Sequence, residues 1–235
     1  MIEFKNIKKK FGQLEVLKGI DFEVPQGKVT AVLGPNGSGK TTLIKSLLGM
    51  VFPDSGSIHL DNYRLNGKAE YRNNIGYLPQ IARFPENLTA RELLKMVSSV
   101  RASNNNAGEL IERFKLDEYL DKKLQHLSGG TRQKINIVMA LMFDADYLIL
   151  DEPTTGLDPI ALRILKQLIA EQKEAGKTIL VTSHILNFVE EVADEVVFLL
   201  EGHIHYQGSI EKLTSTTNTE GLESAIARLM EDQHA

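Results

Sequence analysis

Residues 34–42 read Gly34-Pro35-Asn36-Gly37-Ser38-Gly39-Lys40-Thr41-Thr42 and match the phosphate-binding pattern G-x-x-x-x-G-K-[ST]. An apolar run, Val29 to Leu33, precedes them, and a segment with helical character, Leu43 to Met50, follows them. Glycines allow consecutive backbone N–H groups to point inward, and the helix N-terminus adds positive potential. These residues are therefore predicted to bind a nucleoside triphosphate. A plain glycine turn between strand and helix would not explain Lys40 at the helix entrance.

The composition is that of an ordinary globular protein. The chain has 235 residues, of which 42% are hydrophobic, enough for one large domain or two closely joined lobes. It has no apolar run of about 18 residues and no secretion-signal pattern at its N-terminus, so we expect a soluble, cytoplasmic protein. No cysteine is present, which excludes disulfides and thiolate metal sites. The net charge of −4 gives no broad basic surface for nucleic acid, although a local basic patch stays possible.

The N-terminal part has the pattern of an antiparallel sheet. Residues 2–33 alternate short apolar segments with breaks at Gly12, Gly19 and Pro25-Gln26-Gly27. Phe11, next to the first break, is either a core or edge aromatic or a stacking surface for adenine, and the sequence alone does not decide. Further strands are predicted at Ser57–Asp61, Ile75–Leu78, Tyr147–Glu152, Thr178–Thr182, Glu195–Leu200 and His203–Gln207.

A helical lobe is predicted at residues 86–143, inserted between strands. Thr89-Ala90-Arg91-Glu92 matches a capping box, and the apolar residues after it recur at helical spacing. Two further short helices and a polar break are predicted at Leu110–Leu116, Asp117–Leu124 and Ser103–Asn106.

Within this lobe, Ser128, Gly129 and Gly130 open a helical run that continues from Ile135 to Phe143. Free N–H groups, a hydroxyl and the positive end of a helix dipole favour a second anion-binding site. The alternative is an ordinary serine N-cap with no ligand.

The apolar strand from Tyr147 ends in two carboxylates, Asp151 and Glu152. We expect the hydroxyl of Thr41 to coordinate Mg²⁺ and Asp151 to order the shell of the ion. Glu152 would then face the terminal phosphate and orient, or take a proton from, the attacking water. A solvated acidic pair at a strand end is the alternative.

Two other polar residues follow predicted strands. Gln80 comes directly after Leu78-Pro79, where its amide could reach a metal or water, although a lone loop glutamine is usually only solvated. His184 follows the strand Thr178–Thr182 at the carboxyl edge where ligands lie in open α/β sheets; a structural histidine is the alternative. His203 and His205 share a strand face, but two ligands without a third make a metal site a minor hypothesis.

Taken together, these motifs resemble the ATP-binding-cassette (ABC) ATPase family over residues 1 to about 215. Phe11 lies where the family usually has an aromatic residue that stacks on adenine. Thr131 departs from the family, in which many members have Gln, and we assign it no nucleotide contact. The corresponding family motifs are the Walker A loop at Gly34–Thr42, the Q-loop at Gln80, the signature at Leu127–Gly130, Walker B at Leu148–Asp151, the catalytic glutamate at Glu152, the D-loop at Gly156–Asp158 and the switch histidine at His184.

The resemblance implies an α/β fold: a P-loop NTPase core with a mixed sheet, an N-terminal antiparallel β subdomain and an inserted α-helical signature subdomain. The whole chain, 1–235, would be one ABC ATPase domain. Its nucleotide-binding core would comprise residues 1–85 and 144–215, its helical subdomain residues 86–143, and a closing C-terminal helix residues 216–235.

The resemblance also implies a Mg²⁺-dependent ATPase, with ATP and Mg²⁺ as cofactors and Lys40, Gln80, Glu152 and His184 in catalysis. Two copies would pair head to tail, so that the signature residues Ser128, Gly129 and Gly130 cap the ATP held by the partner. Asp158 would also bind nucleotide. A homodimer is the expected form. The region Gln80–Pro85 would transmit closure to a separate integral membrane permease, which places the chain at the inner face of the cell membrane, with no nucleic acid partner.

Two segments, Pro79–Pro85 and Asp158–Ala161, resemble the copper-processing, nitrous-oxide-reductase-maturation branch of the family. Two other functions are alternatives. A cassette protein acting on nucleic acid or ribosomes usually has two cassettes or a long coiled coil, and this chain has neither. A regulatory module that binds ATP without hydrolysing it is disfavoured by Glu152 and His184.

Overall fold

The computed structural model describes residues 1–67, 69–101 and 105–231. The strands are β1 Ile2–Phe11, β2 Leu14–Val24, β3 Val29–Leu33, β4 Ser55–Leu60, β5 Tyr63–Arg64, β6 Ile75–Leu78, β7 Tyr147–Asp151, β8 Thr178–Ser183, β9 Glu195–Leu200 and β10 His203–Gly208. The helices are α1 Lys40–Leu47, α2 Ala90–Val100, α3 Ala107–Arg113, α4 Gly129–Leu141, α5 Pro159–Glu174, α6 Leu186–Val192, α7 Ile210–Thr217 and α8 Leu222–Glu231. Short 3₁₀ turns lie at Glu70–Asn74, Asp117–Tyr119 and Leu124–His126.

A six-stranded sheet in the order β10-β9-β3-β8-β7-β6 forms the centre of the molecule. Its strands are parallel except β10, which pairs antiparallel with β9. Every residue of β3, β7 and β8 is buried, as expected for parallel strands that are covered on both faces. Leu33 pairs with Ser183, and Asp151 with Thr182. The carboxyl ends of β3, β7 and β8 therefore meet at one edge.

The predicted antiparallel sheet is confirmed, with the order β2-β1-β4-β5. The turn between β1 and β2 contains Gly12, whereas Gly19, predicted as a break, lies within β2. Its φ of 92° accompanies a shift in the β1–β2 register, so the glycine bends the strand without ending it. Phe4 and Phe22 stack between these strands with ring centroids 4.5 Å apart.

The two faces of the six-stranded sheet belong to different hydrophobic cores. Ala31 and Leu33 of β3 pack with the helical subdomain and α5, whereas Val32 packs with α1 and the antiparallel sheet. Alternate side chains of one strand thus join the helical and the antiparallel parts to the same central sheet.

The first helix of the helical subdomain, α2, begins as predicted. The N–H of Glu92 donates to Thr89 Oγ1 at 3.2 Å and the N–H of Thr89 donates to Glu92 Oε2 at 2.8 Å, which is a capping box. The predicted helix at Asp117–Leu124 is wrong, because only a 3₁₀ turn forms at Asp117–Tyr119. The N–H of Leu124 instead donates to the carbonyl of Leu88, at 2.9 Å. In the predicted polar break, Ser103 and Asn104 lie outside the described residues.

The C-terminal part contains two helices that the sequence analysis missed, α6 and α7. The hydroxyl of Ser209 caps α7, which ends at Asn218 with a left-handed φ of 52°. The C-terminal helix predicted at residues 216–235 begins later, as α8 at Leu222, because Thr217 still belongs to α7; residues 232–235 lie outside the described part of the chain. Among the described helices, none has the length and apolar character needed to cross a lipid bilayer.

Candidate nucleotide site

The glycine-rich loop connects β3 to α1 and is closely packed at two of its glycines. Gly39 is the N-cap of α1 with φ 111°, and a Cβ there would lie 2.8 Å from Leu17 Cδ2. A Cβ at Gly34 would overlap the carbonyl oxygen of Leu199. Glycine is therefore required at both positions, and the loop backbone lies directly at the start of the helix.

Lys40 is buried, and its ammonium group bonds to the loop itself. Nζ donates to the carbonyl of Gly34 at 2.7 Å and to that of Pro35 at 3.1 Å. Burial lowers the pKa of Lys40, and the charges of Glu152 and Asp151 partly oppose this shift. A phosphate oxygen could replace either carbonyl and stabilise the charged form.

Ser38 supplies an unsatisfied polar group in the same loop. Its Oγ is buried and has no hydrogen-bond partner among the described residues. Leaving a buried hydroxyl unpaired costs about 1–3 kcal/mol, so such groups are exceptions that favour a ligand. A phosphate oxygen accepting from Ser38 would remove this cost, and the loop therefore fits a phosphorylated ligand.

A cavity of about 460 Å³ opens over the loop. This volume is in the range of small-molecule sites, about 300–1,000 Å³. Gln80 and Glu152, which are distant in sequence from the loop, both lie in its wall. The lining residues are Leu14, Val16, Asn36, Gly37, Gly39, Lys40, Thr41, Thr42, Gln80 and Glu152.

Phe11 does not line this cavity. It ends β1, pairs with Leu14, is 49% exposed, and has the Nζ of Lys9 5.4 Å from its ring centroid. The apolar wall is formed by Leu14 and Val16, which the sequence analysis did not select because their spacing is that of an ordinary strand. A stacking role for Phe11 stays a prediction.

Asp151 is buried at the end of β7, between two hydroxyl groups. Thr182 Oγ1 donates to Oδ1 at 2.6 Å, and Thr41 Oγ1 lies 3.5 Å from Oδ2. Burial raises the pKa of Asp151, and the Thr182 bond opposes the shift. Burial, with the nearby Asp151 charge, also raises the pKa of Tyr77 to about 12. Thr182 was missed because the sequence does not show which residue pairs across two strands.

The oxygen atoms of Thr41 and Asp151 suit magnesium better than a metal that is held by protein ligands alone. Within the described ranges, no group of three or more His, Cys, Asp or Glu side chains could hold a metal ion. Mg²⁺ commonly takes one or two protein oxygens and completes its shell with water and substrate phosphate. Thr41 and Asp151 match that requirement. His203 and His205 lie with ring centroids 6.5 Å apart and gain no third ligand of these types.

Glu152 and His184 are in contact. His184 Nδ1 lies 2.8 Å from Glu152 Oε2; the glutamate side chain is 5% exposed and the histidine 62%. Glu152 has a left-handed φ of 50°, and its N–H donates to both the carbonyl and the hydroxyl of Thr182 at 3.1 Å. These hydrogen bonds to β8 stabilise the strained backbone of Glu152, and this backbone conformation places the carboxylate in the cavity wall.

The serine-glycine segment lies outside the cavity wall. Ser128 Oγ accepts from the N–H of Thr131 at 3.1 Å and so caps α4, and an anion-binding role for this segment stays a prediction. Asp158 caps α5 by accepting from the N–H of Ala161, and it also accepts from Lys134 Nζ at 2.7 Å. The same chain therefore does not bring Ser128, Gly129, Gly130 or Asp158 to the wall of its own phosphate-loop cavity.

Comparisons with known sequences all indicate the same family. The family model described as ABC transporter matches residues 17–155. The Nod factor export ATP-binding protein I of Burkholderia orbicola (strain AU 1054) is 36% identical over 214 residues, which are 88% of this chain and 70% of the relative. The lantibiotic transport ATP-binding protein SrtF of Streptococcus pyogenes is 35% identical over 217 residues, which are 89% of this chain and 93% of the relative.

Solved structures that resemble this chain indicate the same family as the related sequences. An ATP-binding subunit of an ABC transporter superposes with a TM-score of 0.91 and 31% identity, covering 98% of this chain and 99% of its own. A dimeric bacterial ABC transporter cassette gives 0.81 and 25%, covering 89% and 98%. A dimeric post-hydrolysis cassette bound to ADP and Pi gives 0.76 and 25%, with the same coverage. This chain therefore belongs to the ABC transporter family and is an ATP-hydrolysing, nucleotide-binding subunit of a transporter.

Proposed function

We propose that the cavity over the glycine-rich loop binds Mg²⁺-ATP, with Lys40 and Ser38 on the phosphates and Thr41, Asp151 and Gln80 around the metal. The observation that carries this proposal is that Gln80 and Glu152 line the same cavity as the loop. When bound, Mg²⁺ would neutralise charge on the transferred phosphate. The related post-hydrolysis cassette is bound to ADP and Pi, which supports nucleotide binding by this chain.

Hydrolysis is assigned to Glu152. Its carboxylate lies in the cavity wall, where it can orient a water molecule and accept its proton. The contact with His184 holds one carboxylate oxygen and leaves the other for that water. Lys40 would bind the terminal phosphates and stabilise the charge that develops on them.

A second copy of the chain completes each site. Ser128, Gly129 and Gly130 lie outside the wall of the cavity in their own chain, and the related cassettes are dimeric. We therefore place the signature segment and Asp158 of one copy over the ATP of the other, most simply in a homodimer. Closure of this pair by ATP and its opening after hydrolysis would supply the motion for transport.

The expected partner in the membrane is a separate permease subunit. The relatives act in Nod factor export and lantibiotic transport, as their names state, which supports coupling to a transporter. The segment Gln80–Pro85 includes Ile81, whose side chain is 71% exposed, and would transmit closure. The chain would then work at the inner face of the membrane, without nucleic acid. The resemblance to the nitrous-oxide-reductase-maturation branch stays a hypothesis about the cargo.

Mixing two inactive variants tests the shared site. Lys40→Ala disables the phosphate loop of one chain, whereas Ser128→Asp keeps an N-cap but places a negative charge in its signature. Each variant alone should lack turnover. A mixture forms heterodimers with one intact composite site, so we expect Mg²⁺-dependent phosphate release to reappear. If ATP turnover needs no second chain, Ser128→Asp alone stays active and the shared-site proposal is wrong.

A further inference from the structure

Helix α4 carries a buried amide among apolar residues. Asn136 is 2% exposed and lies between Ile135 and Ile137, which are both buried. A buried amide destabilises the fold unless it is hydrogen-bonded. The partners of Asn136 therefore indicate why an amide is present here.

These partners connect two catalytic segments. Asn136 Nδ2 donates to the carbonyl of Pro79 at 3.2 Å and to Gln133 Oε1 at 3.5 Å. Gln133 Nε2 in turn donates to the carbonyl of Pro153 at 3.1 Å. Pro79 directly precedes Gln80, and Pro153 directly follows Glu152. Two side chains of one helix thus hold the peptides next to both predicted catalytic residues.

The backbone of α4 is also closely packed against the same segments. A Cβ at Gly76 would overlap the carbonyl oxygen of Ala140, so α4 touches the backbone of β6, the strand before Gln80. A Cβ at Gly130 would lie 2.8 Å from the carbonyl oxygen of Gly156. A displacement of α4 would therefore push directly on β6 and on the segment around Gly156, because the backbones are already in close contact.

We propose that Asn136 and Gln133 are positioning residues that link the helix bearing the signature to Gln80 and Glu152. The proposal rests on the proposed function in one respect, that the start of α4 contacts the ATP of the second copy. Contact there would be passed along α4 to the two carbonyls, so that Gln80 and Glu152 adopt their working positions together.

The competing explanation is that the pair is only a satisfied polar element that stabilises the fold. The two explanations differ in kinetics. A structural role lowers the midpoint of thermal unfolding without a specific change in kcat. A positioning role lowers kcat with KM for ATP nearly unchanged, because neither side chain lines the ATP cavity.

The test uses Asn136→Leu and Gln133→Met, which keep side-chain size and remove the hydrogen bonds, together with the double variant. Val138→Ala, at a fully buried site in the same helix, is the packing control. We expect each single variant to lower kcat about tenfold with KM within about twofold, in the range of coupling effects. The double variant should lose no more than a single one, because both break the same link. Val138→Ala should lower thermal stability and leave kcat within about twofold.

Additive losses in the double variant, or single variants with wild-type kcat, would overturn the proposal. So would a loss of kcat in Val138→Ala as large as in Asn136→Leu. Failure of the proposed function is recognised separately, because Glu152→Gln would then keep its turnover whatever the α4 variants do.

Discussion

The Nδ1 atom of His184 lies 2.8 Å from Oε2 of Glu152, which joins a largely exposed ring to an almost fully buried carboxylate. Neighbouring strands hold the two residues, since Glu152 follows β7 and His184 follows β8. Both the carbonyl and the hydroxyl of Thr182 accept from the N–H of Glu152, so the left-handed backbone of Glu152 is fixed from β8. A strained residue held in this way is typical of a catalytic group.

Replacing Glu152 by Gln should abolish turnover without abolishing ATP binding. The amide keeps the size of the side chain but cannot accept a proton from water, so we expect kcat to fall at least about 100-fold. Phosphate release measures this loss, and light scattering should show dimers that accumulate with ATP. Glu201→Gln is the control, because Glu201 is exposed and also has a left-handed φ, 48°. Normal hydrolysis by Glu152→Gln would refute the assigned role.

His184→Ala should lower kcat because it releases the held oxygen of Glu152. We expect a loss of about 10- to 100-fold, with KM for ATP changed much less. His184→Asn can place an amide N–H near the position of Nδ1 and should recover part of the loss. Steady-state ATPase kinetics on the three proteins check this order. Equal activity of the Ala and Asn variants would show that the contact itself does not matter.

Several site motifs could be predicted from the sequence, because each is a short segment next to the end of a predicted strand and carries its functional groups itself. Lys40, Asp151 and Glu152, whose roles stay predictions, were selected in this way. Thr182 and Asn136 were not, since their roles depend on contacts between strands and between helix and loop that no local pattern shows. The prediction of a helix at Asp117–Leu124 was wrong for the same reason. Its leucines recur at helical spacing, but the N–H of Leu124 donates to the carbonyl of Leu88 instead of forming a helical hydrogen bond.

Lys40→Ala should weaken ATP binding. Among the described residues that line the cavity, Lys40 alone carries a positive charge, and one charge-assisted hydrogen bond is worth about 1.5–3 kcal/mol. We therefore expect the Kd for ATP, measured by calorimetry with Mg²⁺, to rise at least about tenfold. Lys45→Ala is the matched control on the exposed side of α1. A similar change in both variants would argue against a specific phosphate contact.

Asp151→Asn should stabilise the free chain while it removes activity. Because burial raises the pKa of this carboxyl, its ionised form is unfavourable in the folded state. At low pH, where the carboxyl is protonated in both the folded and the unfolded chain, this destabilisation is absent. It grows as the pH rises from the ordinary pKa of 3.8 through the raised pKa of the folded chain. Removing a charge of this kind is expected to gain about 1 kcal/mol near pH 7, or about 2–4 °C in the unfolding midpoint.

Thermal unfolding of Asp151→Asn and the wild type between pH 4.5 and 8 checks that expectation. The difference in midpoint should widen as pH increases and then level off. A difference that is constant with pH, or that shrinks as pH increases, would contradict the raised pKa. Phosphate release in the same samples should be lost at every pH, because the amide cannot order the metal shell as a carboxylate does.

The two signature glycines should respond differently to alanine. A Cβ at Gly130 would lie 2.8 Å from the carbonyl oxygen of Gly156, whereas a Cβ at Gly129 would meet no atom of the described residues within 4 Å. Both residues lie in the first turn of α4, where alanine is a better helix former than glycine. Gly130→Ala should therefore lower the unfolding midpoint by about 2–4 °C, equivalent to about 1 kcal/mol, and Gly129→Ala should not lower it. Equal shifts in the two variants would show that the segment around Gly156 moves freely, and α4 would then not be held against it.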